Sequence, residues 1–431
     1  MIAPDGAYAG GIVGRSEDGV DIEDCLNTGM IIAMKMSDVT GSFYNKYKTK
    51  SGLTCVTKTY KGKEYVIRKY KADASGSYLG GIIGVAANCT ISKCANLGSI
   101  YSSDDDGIGG IAGSIYPAKI TNCLSDFHGS DGVRGICRFN GNGVSVNNCL
   151  NLTTYKDISA AENKWGDFKG EHNYSLTTAT DAHHTTKTTA AKIKYGEICL
   201  KLGENWEQNL GTDAYPTPTG KKGLYHTRTV SDHYGAVCLP FAMNSDDNVK
   251  FYLPTKVNNG EDEVTIRFSY VERLQAGYPA LFSVANQGDY TFTPASESDE
   301  IRDQPFSILP DLEADWLLHG TYEEIVFEGE GAKERYYISD DKICNDIKAT
   351  VAPFSSYFSG PDVTTLVNNY NQTKAILIEI EGEDGPTTSL EFVGNDLKPV
   401  RNGKTYSIMG IEVDDNYRGI VIKDGKKILR K

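Results

Sequence analysis

The chain has 431 residues, of which 39% are hydrophobic and 45 are glycine, so it has room for two or three domains built from short strands and turns. Its formal net charge of −13 argues against a protein that binds nucleic acid over its whole surface. No run of about 18 apolar residues occurs, so no transmembrane helix is expected.

A pair of motifs recurs through roughly the first 151 residues, and its clearest copy runs from Tyr78 to Ile100. An apolar stretch with paired glycines before an isoleucine is followed by an Ile-x-x-Cys stretch. The copies of the first motif are Tyr8–Gly14, Tyr78–Gly84, Gly107–Gly113 and Gly132–Cys137, and those of the second begin at Ile22, Ile91, Ile120 and Val146. In the fourth copy Arg134 takes the place of the second glycine of the pair.

The spacing of these copies predicts a β-solenoid. The cysteines at 94, 123 and 149 are 29 and 26 residues apart, a period typical of solenoids and repeat arrays. One coil cannot bury its apolar side alone, whereas stacked coils can. We therefore expect Ile and Cys to form inward ladders in a stub of four coils about 20 Å long, at about 4.8 Å per coil.

These motifs resemble the GLUG repeat, a Gly-Leu-Unknown-Gly pattern found in large secreted and surface proteins of Bacteroides-type bacteria. The resemblance covers roughly residues 6–151. It implies a secreted or cell-surface location. Because Met1–Asp5 leads straight into a repeat without a signal peptide, we expect the chain to be a fragment of a longer protein.

Four of the ten cysteines, Cys25, Cys94, Cys123 and Cys149, recur at one position of the repeat. A disulfide framework does not usually place cysteine at the same site of every coil, so a ladder of buried free thiols is favoured. Disulfides or a metal site remain the alternatives. No C-x-x-C pair is present, and we predict no catalytic residue, no metal and no cofactor.

Residues 35–74 interrupt the repeat with ten Lys or Arg and three acidic residues, a local charge of +7. Gly62 lies at a predicted hairpin turn. One interpretation is a protruding hairpin that binds an anionic glycan or another acidic surface, with the binding residues Tyr47, Lys48, Tyr65 and Arg68. The other is a surface hairpin whose lysines block edge-to-edge pairing of strands.

The sequence patterns divide the whole chain into four segments. Residues 1–175 are assigned to the solenoid, 176–224 to a connector with one helix at 190–202, 225–380 to an antiparallel β-sandwich, and 381–431 to a linker and small β tail. The repeat pattern is lost over 152–192. The run from Gly196 to Pro216 resembles a segment that closes GLUG arrays, and the last residues resemble the endings of exported Bacteroidetes proteins, with Val421 in place of the usual Tyr.

The predicted protein is all-β: a short solenoid, a sandwich-like domain and a β tail. The favoured function is a non-enzymatic, adhesin-like scaffold, secreted or on the cell surface, that presents loops to a glycan or a surface protein and not to nucleic acid. One alternative is a carbohydrate-active lyase or hydrolase on a β-helix. It lacks support because no Ser-His-Asp order, P-loop or metal-ligand spacing occurs. The other alternative is a mechanical stalk without a ligand.

Overall fold

The computed structural model describes residues 2–4, 8–17, 19–34, 54–69, 78–101, 107–129, 134–139, 143–153, 169–177, 184–218, 222–260, 263–297, 299–310, 315–339, 342–345, 348–361, 375–381, 392–394, 405–407, 419–423 and 426–430. The fold is all-β, as predicted. The chain forms two compact units. The first contains Met1–Thr229, Pro240–Met243 and Asp289–Gln304, and the second contains Val230–Leu239, Asn244–Gly288 and Pro305–Lys431.

In the first unit the chain winds through successive coils, and equivalent strands of neighbouring coils pair in parallel to form five ladders. The first ladder contains Tyr8–Gly10, Tyr78–Gly80 and Ile108–Gly109, and the second contains Val13–Arg15, Ile83–Ala86, Ala112–Ile115 and Cys137–Phe139. The third contains Asp21–Glu23, Thr90–Ser92, Lys119–Thr121, Ser145–Asn147 and Lys169–Glu171. The fourth contains Leu26–Asn27, Ala95–Asn96, Leu124–Ser125, Leu150–Asn151, Asn173–Ser175 and Thr185–Lys187, and the fifth contains Ile2–Pro4, Met30–Met34, Ser99–Tyr101 and His128–Gly129.

The third ladder sets the register of the apolar core. Ile91 pairs with Ile22 on one side and with Ile120 on the other, and Ile120 pairs in turn with Val146. All four side chains are buried in one cluster, together with Ile82, Ile111 and Ile136, the isoleucines that follow the glycines of the second, third and fourth copies. Ile12, the equivalent residue of the first coil, is exposed, so the expected inward ladder of these isoleucines does not include it. A coil therefore completes its core only by stacking on its neighbours, as the repeat predicts.

The thiol column, Cys25, Cys94, Cys123 and Cys149, lies beside this isoleucine ladder. Each thiol donates a hydrogen bond to the carbonyl oxygen two residues earlier, at 3.1 to 3.3 Å. The inner three are fully buried, while Cys25 in the first coil is partly exposed. The predicted inward ladder is thus found at Cys94, Cys123 and Cys149, and Cys25 packs against the same core from a partly exposed position. The nine cysteines whose side chains are described are all free.

A sharp corner precedes each member of the thiol column. The residue before the cysteine has a positive φ of 51 to 53° at Asp24, Lys93, Asn122 and Asn148. Asn and Asp tolerate this left-handed conformation, whereas Lys93 adopts it at a cost of about 1 kcal/mol. The I-x-x-C spacing thus encodes a strand, one left-handed corner residue and an inward thiol.

A second ladder of buried polar side chains fills the space beside the paired glycines. This polar ladder consists of Asn27, Asn96, Ser125, Asn151 and Ser175. Asn27 Nδ2 donates to Asn96 Oδ1 at 2.8 Å, and Asn96 Nδ2 donates to the Gly110 carbonyl oxygen at 2.8 Å. Each amide thereby joins its own coil to the next one.

The second glycine of each pair makes room for this ladder. A β-carbon on Gly11, Gly81, Gly110 or Gly135 would overlap the Asn27, Asn96, Ser125 or Asn151 side chain, respectively. Gly109 pairs with Arg134, so Arg134 replaces the first glycine of the fourth copy. The assignment of Arg134 to the second position was wrong, because Gly135 keeps the contact that requires a glycine.

The coil continues beyond the last recognisable repeat, contrary to the loss of pattern over 152–192. Lys169–Glu171, Asn173–Ser175 and Thr185–Lys187 add further parallel rungs. Asn173 takes the position of the next thiol, donating to the Val146 carbonyl oxygen at 2.7 Å and accepting from Cys149 N at 3.1 Å. The polar side chain ends the thiol column, and because it replaces the cysteine, the sequence pattern does not reveal this rung.

Two short helices follow in place of the single helix predicted at 190–202. Helix α1 spans Ala190–Lys194 and helix α2 spans Glu197–Leu202. The break falls at Gly196, whose φ is 90° and beside which the Leu224 side chain fills the space that a β-carbon would need. Gly203 ends α2 as predicted. A three-stranded sheet of Glu207–Asn209, Gly223–Val230 and Gly288–Phe292 follows.

The second unit consists mainly of two sheets with a shared apolar core. One has the order Tyr234–Val237, Ala280–Val284, Val249–Asn259, Glu263–Val271 and Ala375–Glu381. The other has the order Ser307–Ile308, Leu317–Thr321, Ser355–Ser359, Arg335–Ser339, Lys342–Asn345 and Phe392–Gly394. Both contribute to one buried cluster that includes Phe268, Trp316, Phe358 and Ile378. Most pairs are antiparallel, but Ala375–Glu381 and Phe392–Gly394 join their sheets in parallel.

Smaller elements complete the described chain. They are the two-residue strands Met243–Asn244 and Arg273–Leu274, the pair Ile325–Glu328 and Lys348–Val351, the 3₁₀ helix Gly329–Glu334, and the three-stranded tail Thr405–Ser407, Gly419–Lys423 and Lys426–Arg430. Within the described residues, neither helix has the length or apolar content to cross a membrane.

The contact between Gly81 and the polar ladder generates a stability prediction. We expect Gly81→Ala to lower the free energy of unfolding of the first unit by about 3 kcal/mol, because the new methyl overpacks a site closed by backbone. Gly14→Ala is the matched control, since its β-carbon would meet only the Tyr8 carbonyl oxygen, at 3.1 Å. Urea-dependent thiol labelling of Cys123 measures the free energy of unfolding of each variant. Equal losses of stability in Gly81→Ala and Gly14→Ala would contradict the assigned role of Gly81.

The thiol column predicts graded chemical reactivity. Burial raises the pKa of Cys123, and a hydrogen bond with Cys123 together with burial raises the pKa of Cys94, so neither forms a thiolate near neutral pH. We expect Cys94, Cys123 and Cys149 to react with a maleimide at least about 100-fold more slowly than Cys25. Peptide mass spectrometry of the folded protein gives the reaction rate of each thiol. Comparable rates at all four cysteines would show that the thiol column is accessible to solvent.

Candidate functional site

The insertion that interrupts the repeat contains a regular hairpin, formed by Thr54–Tyr60 and Lys63–Lys69. Its two-residue turn, Lys61 and Gly62, has φ values of 50 and 68°, the combination of a type I′ turn. The turn predicted at Gly62 is confirmed. Such a turn matches the right-handed twist of the strands, so the hairpin is a stiff ribbon.

One side of the hairpin is packed against the coil. Tyr60 and Ile67 are 5% and 0% exposed, and Lys63–Lys69 lies against Met30–Met34 and Ser99–Tyr101 of the fifth ladder. The interpretation of the hairpin as a protruding arm was therefore wrong. Alternation of apolar and polar side chains along its strands is consistent with one covered face, but it does not show which part of the chain covers that face.

A largely buried ion pair fastens the hairpin to the third coil. Lys58 Nζ lies 2.7 Å from Asp126 Oδ1, and the two side chains are only 10% and 20% exposed. Lys58 also donates to the Asp126 carbonyl oxygen. Burial raises the pKa of Asp126, and the Lys58 ammonium opposes that rise. Removal of the lysine would thus leave a poorly hydrated carboxylate.

The connector supplies a second attachment through Tyr215. The Tyr215 hydroxyl donates to the Thr59 carbonyl oxygen at 2.8 Å, next to Tyr60. Burial is the main cause that raises the pKa of both tyrosines, so both stay protonated at neutral pH. Tyr215 belongs to the Gly196–Pro216 run, so that run both follows the coil and holds the inserted hairpin in place.

The opposite side of the hairpin is open. Thr57, Thr59, Glu64 and Val66 are exposed, and Val66 exposes 66% of its surface. At the tip, the ammonium groups of Lys61 and Lys63 lie 5.6 and 5.5 Å from the ring centres of Tyr60 and Tyr65. Neither forms an ion pair with a described residue. The tip thus offers two uncompensated cations beside tyrosine rings, on a fixed ribbon.

The structure brings only part of the predicted binding set together. Tyr65 is half-buried, pairs across the hairpin with Lys58 and lies beneath Lys63. Arg68 is placed by its backbone alone, opposite Cys55. Tyr47 and Lys48 lie outside the described residues. That the four act as one site therefore stays a prediction.

Sequence reasoning missed the residues that position the hairpin, namely Lys58, Asp126 and Tyr215. Lys58 and Asp126 are 68 residues apart, and Tyr215 is 156 residues from Thr59. No local motif marks such pairs. The available signal was the apolar alternation at Tyr60 and Ile67, which indicates that one face of the hairpin is covered.

A shallow cleft of about 440 Å³ lies elsewhere in the first unit, between the two short helices on one side and residues 297 and 299–301 on the other. Glu197 forms ion pairs there with Lys192 at 3.1 Å and Lys201 at 2.5 Å. Burial raises the pKa of Glu197, but the hydrogen bonds with both lysines outweigh it, and the net shift is downward. Both lysines of the cleft are thus paired with Glu197, while Glu297, Asp299 and Glu300 add three acidic groups to its other side. Within the described residues, no group of three or more His, Cys, Asp or Glu is arranged to hold a metal ion.

No family model, curated protein or solved structure matches this chain. The function must therefore be inferred from the molecule's own geometry, in which the docked hairpin is the most distinctive surface feature.

The Lys58–Asp126 pair predicts a pH-dependent attachment. Asp126 has a higher pKa in the docked state than in the unfolded chain, so its contribution to stability is largest below the unfolded pKa and falls as pH rises through the folded pKa. We expect Lys58→Met to raise that folded pKa further and to weaken docking by about 2 kcal/mol at pH 7.5, but by much less near pH 4.

Amide hydrogen exchange across residues 57–67, corrected for the intrinsic effect of pH, measures this attachment. The control is the double variant Lys58→Met/Asp126→Asn, in which no carboxylate is left unpaired and the extra pH dependence should vanish. Unchanged protection of the hairpin in Lys58→Met at pH 7.5 would refute a stabilising role for the ion pair.

Proposed function

We propose that this protein is a secreted or cell-surface scaffold of the adhesin type, whose coil presents the inserted hairpin to an anionic glycan or an acidic surface protein. The observation that supports it most strongly is the one-sided attachment of the hairpin. Tyr60, Ile67 and Lys58 are used for docking, which leaves the Lys61–Lys63 tip and the exposed Val66 face for a partner.

Rigidity favours binding by such a surface. A free loop loses conformational entropy when it is captured, whereas a ribbon held by an ion pair, a tyrosine hydrogen bond and buried side chains has already lost most of it. Repeat scaffolds commonly carry binding elements as insertions between coils. The hairpin lies in such an insertion, between the first and second coils.

Charge favours an acidic partner. Residues 35–74 carry +7 in a chain whose net charge is −13, so the rest of the chain carries −20. An acidic ligand is therefore attracted to the insertion and repelled by the remaining surface. The resemblance of the repeats to GLUG arrays of surface proteins supports the same proposal.

Charge reversal at the tip tests the proposal, because Lys61 and Lys63 are exposed and neither forms an ion pair within the described residues. We expect Lys61→Glu/Lys63→Glu to weaken binding to sulfated or uronate-containing glycans on an array by at least about tenfold, since two cations are lost near the ligand. The matched control is Lys119→Glu/Lys187→Glu, which changes the net charge equally at exposed sites of the coil and should preserve binding.

Two results would contradict the proposal. One is equal loss of binding in both double variants, which would indicate attraction to overall charge and not to the hairpin. The other is an absence of binding by the unaltered chain to every acidic glycan and acidic surface protein presented. Far-ultraviolet circular dichroism of each variant establishes that the fold is retained.

A further inference from the structure

A serine–histidine–serine cluster lies on the outer face of the second unit's second sheet. The Ser307 hydroxyl is 2.9 Å from His319 Nδ1, and the Ser359 hydroxyl is 2.7 Å from His319 Nε2. This cluster borders a small apolar cluster that contains Phe327 and Val351, because Tyr357 packs against that apolar cluster and also stacks on His319. It is independent of the coil and of the hairpin proposed to bind acidic partners.

Strand register assembles the cluster. Ser307 and Tyr357 lie directly opposite His319 on the two neighbouring strands. Leu318 and Phe358, the residues alternating with them, are 0% and 1% exposed in the core, so the cluster residues lie on the other face of the sheet. His319 and Ser359 are half-buried and Ser307 is exposed.

The orientation of the imidazole is fixed on both sides. Its ring stacks on Tyr357 with centres 4.9 Å apart and an angle of 22° between the planes. Burial, with a smaller contribution from Arg335, lowers the pKa of His319, so the ring is neutral and can accept a proton near pH 7. With Nδ1 protonated, Nδ1–H donates to Ser307 and Nε2 accepts from Ser359.

Arg335 adds positive charge at the same place. It lies directly across the strand pair from Ser359, and its guanidinium carbon is 5.6 Å from the centre of the Tyr357 ring. It forms no ion pair within the described residues. A guanidinium on the strand that pairs with Ser359 can, on reaching the reacting oxygen, stabilise the negative charge that it acquires.

We propose that Ser359 is a nucleophile for small carboxylic esters, with His319 as its general base, Ser307 as the positioning residue and Arg335 as the electrostatic group. A nucleophile hydrogen-bonded to a base that a third group orients is the general signature of covalent catalysis. The third group here is a hydroxyl, so the imidazolium receives less stabilisation than a carboxylate would provide. The activity is thus expected to be modest.

The reaction conserves atoms and charge with water as co-substrate. Ser359 Oγ bonds to the ester carbonyl carbon while its proton passes to His319 Nε2. The carbonyl carbon–oxygen bond to the leaving alcohol then breaks, and the alcohol departs with that proton. Water then attacks the carbonyl carbon of the acyl-serine while its proton passes to His319 Nε2. The bond between that carbon and Ser359 Oγ breaks, the carboxylic acid is released, and His319 returns the proton to Ser359 Oγ.

A fluorophosphonate probe tests the assignment on the full chain. We expect covalent labelling of Ser359, located by peptide mass spectrometry, and its loss in Ser359→Ala. His319→Gln should slow labelling by at least about 100-fold, the usual contribution of a general base. Ser339→Ala, which alters a half-buried serine elsewhere in the same sheet, is the control and should label normally.

Hydrolysis of p-nitrophenyl acetate gives a second readout. We expect the rate due to Ser359 to rise with pH and to level off once His319 is neutral, with a midpoint below about 6.5. Ser307→Ala should shift this midpoint and lower the rate, a change that a purely structural hydroxyl would not produce. Labelling at Ser307 in place of Ser359, no labelling in the folded chain, or hydrolysis unaffected by Ser359→Ala would overturn the proposal.

Discussion

Buried amide side chains that occupy the space of a missing β-carbon join the first coil of the first unit to the second, and the second to the third. Asn27 bonds to Asn96, and Asn96 bonds to the Gly110 carbonyl, within a region that is 6% exposed or less. Because an unpaired amide would be costly there, neighbouring coils must stay in one register. That register then brings Ile22, Ile91, Ile120 and Val146, together with the three inner thiols, into a single buried core.

The remaining features of the first unit depend on this frame. The fifth ladder offers a flat surface on which the hairpin rests, and Asp126 lies one residue after the polar ladder member Ser125, within reach of Lys58. Asn173 ends the thiol column, after which the two short helices begin. In the second unit, the His319 cluster is assembled by strand register, because alternate residues of neighbouring strands lie on the outer face of one sheet.

Much of the fold could be predicted because local residues encode it. The glycine pairs and the I-x-x-C motif each report a backbone or packing requirement within one coil, so the all-β fold and most of the thiol column could be predicted directly. The rung in which Asn173 replaces the cysteine was not predicted, nor was the break between the two helices at Gly196. The attachments of Lys58 and Tyr215, and the His319 cluster, join residues distant in sequence, and no periodic signal marks them.

The most direct test of the coil register is a methyl–methyl NOE measurement on protein with labelled isoleucine and valine. The structure predicts contacts between Ile22 and Ile91, between Ile91 and Ile120, and between Ile120 and Val146, with none between Ile22 and Val146. Sequential contacts of this kind would support the stacked coils. Their absence, or contacts that skip a coil, would contradict the register on which the polar ladder, the thiol column and the docked hairpin depend.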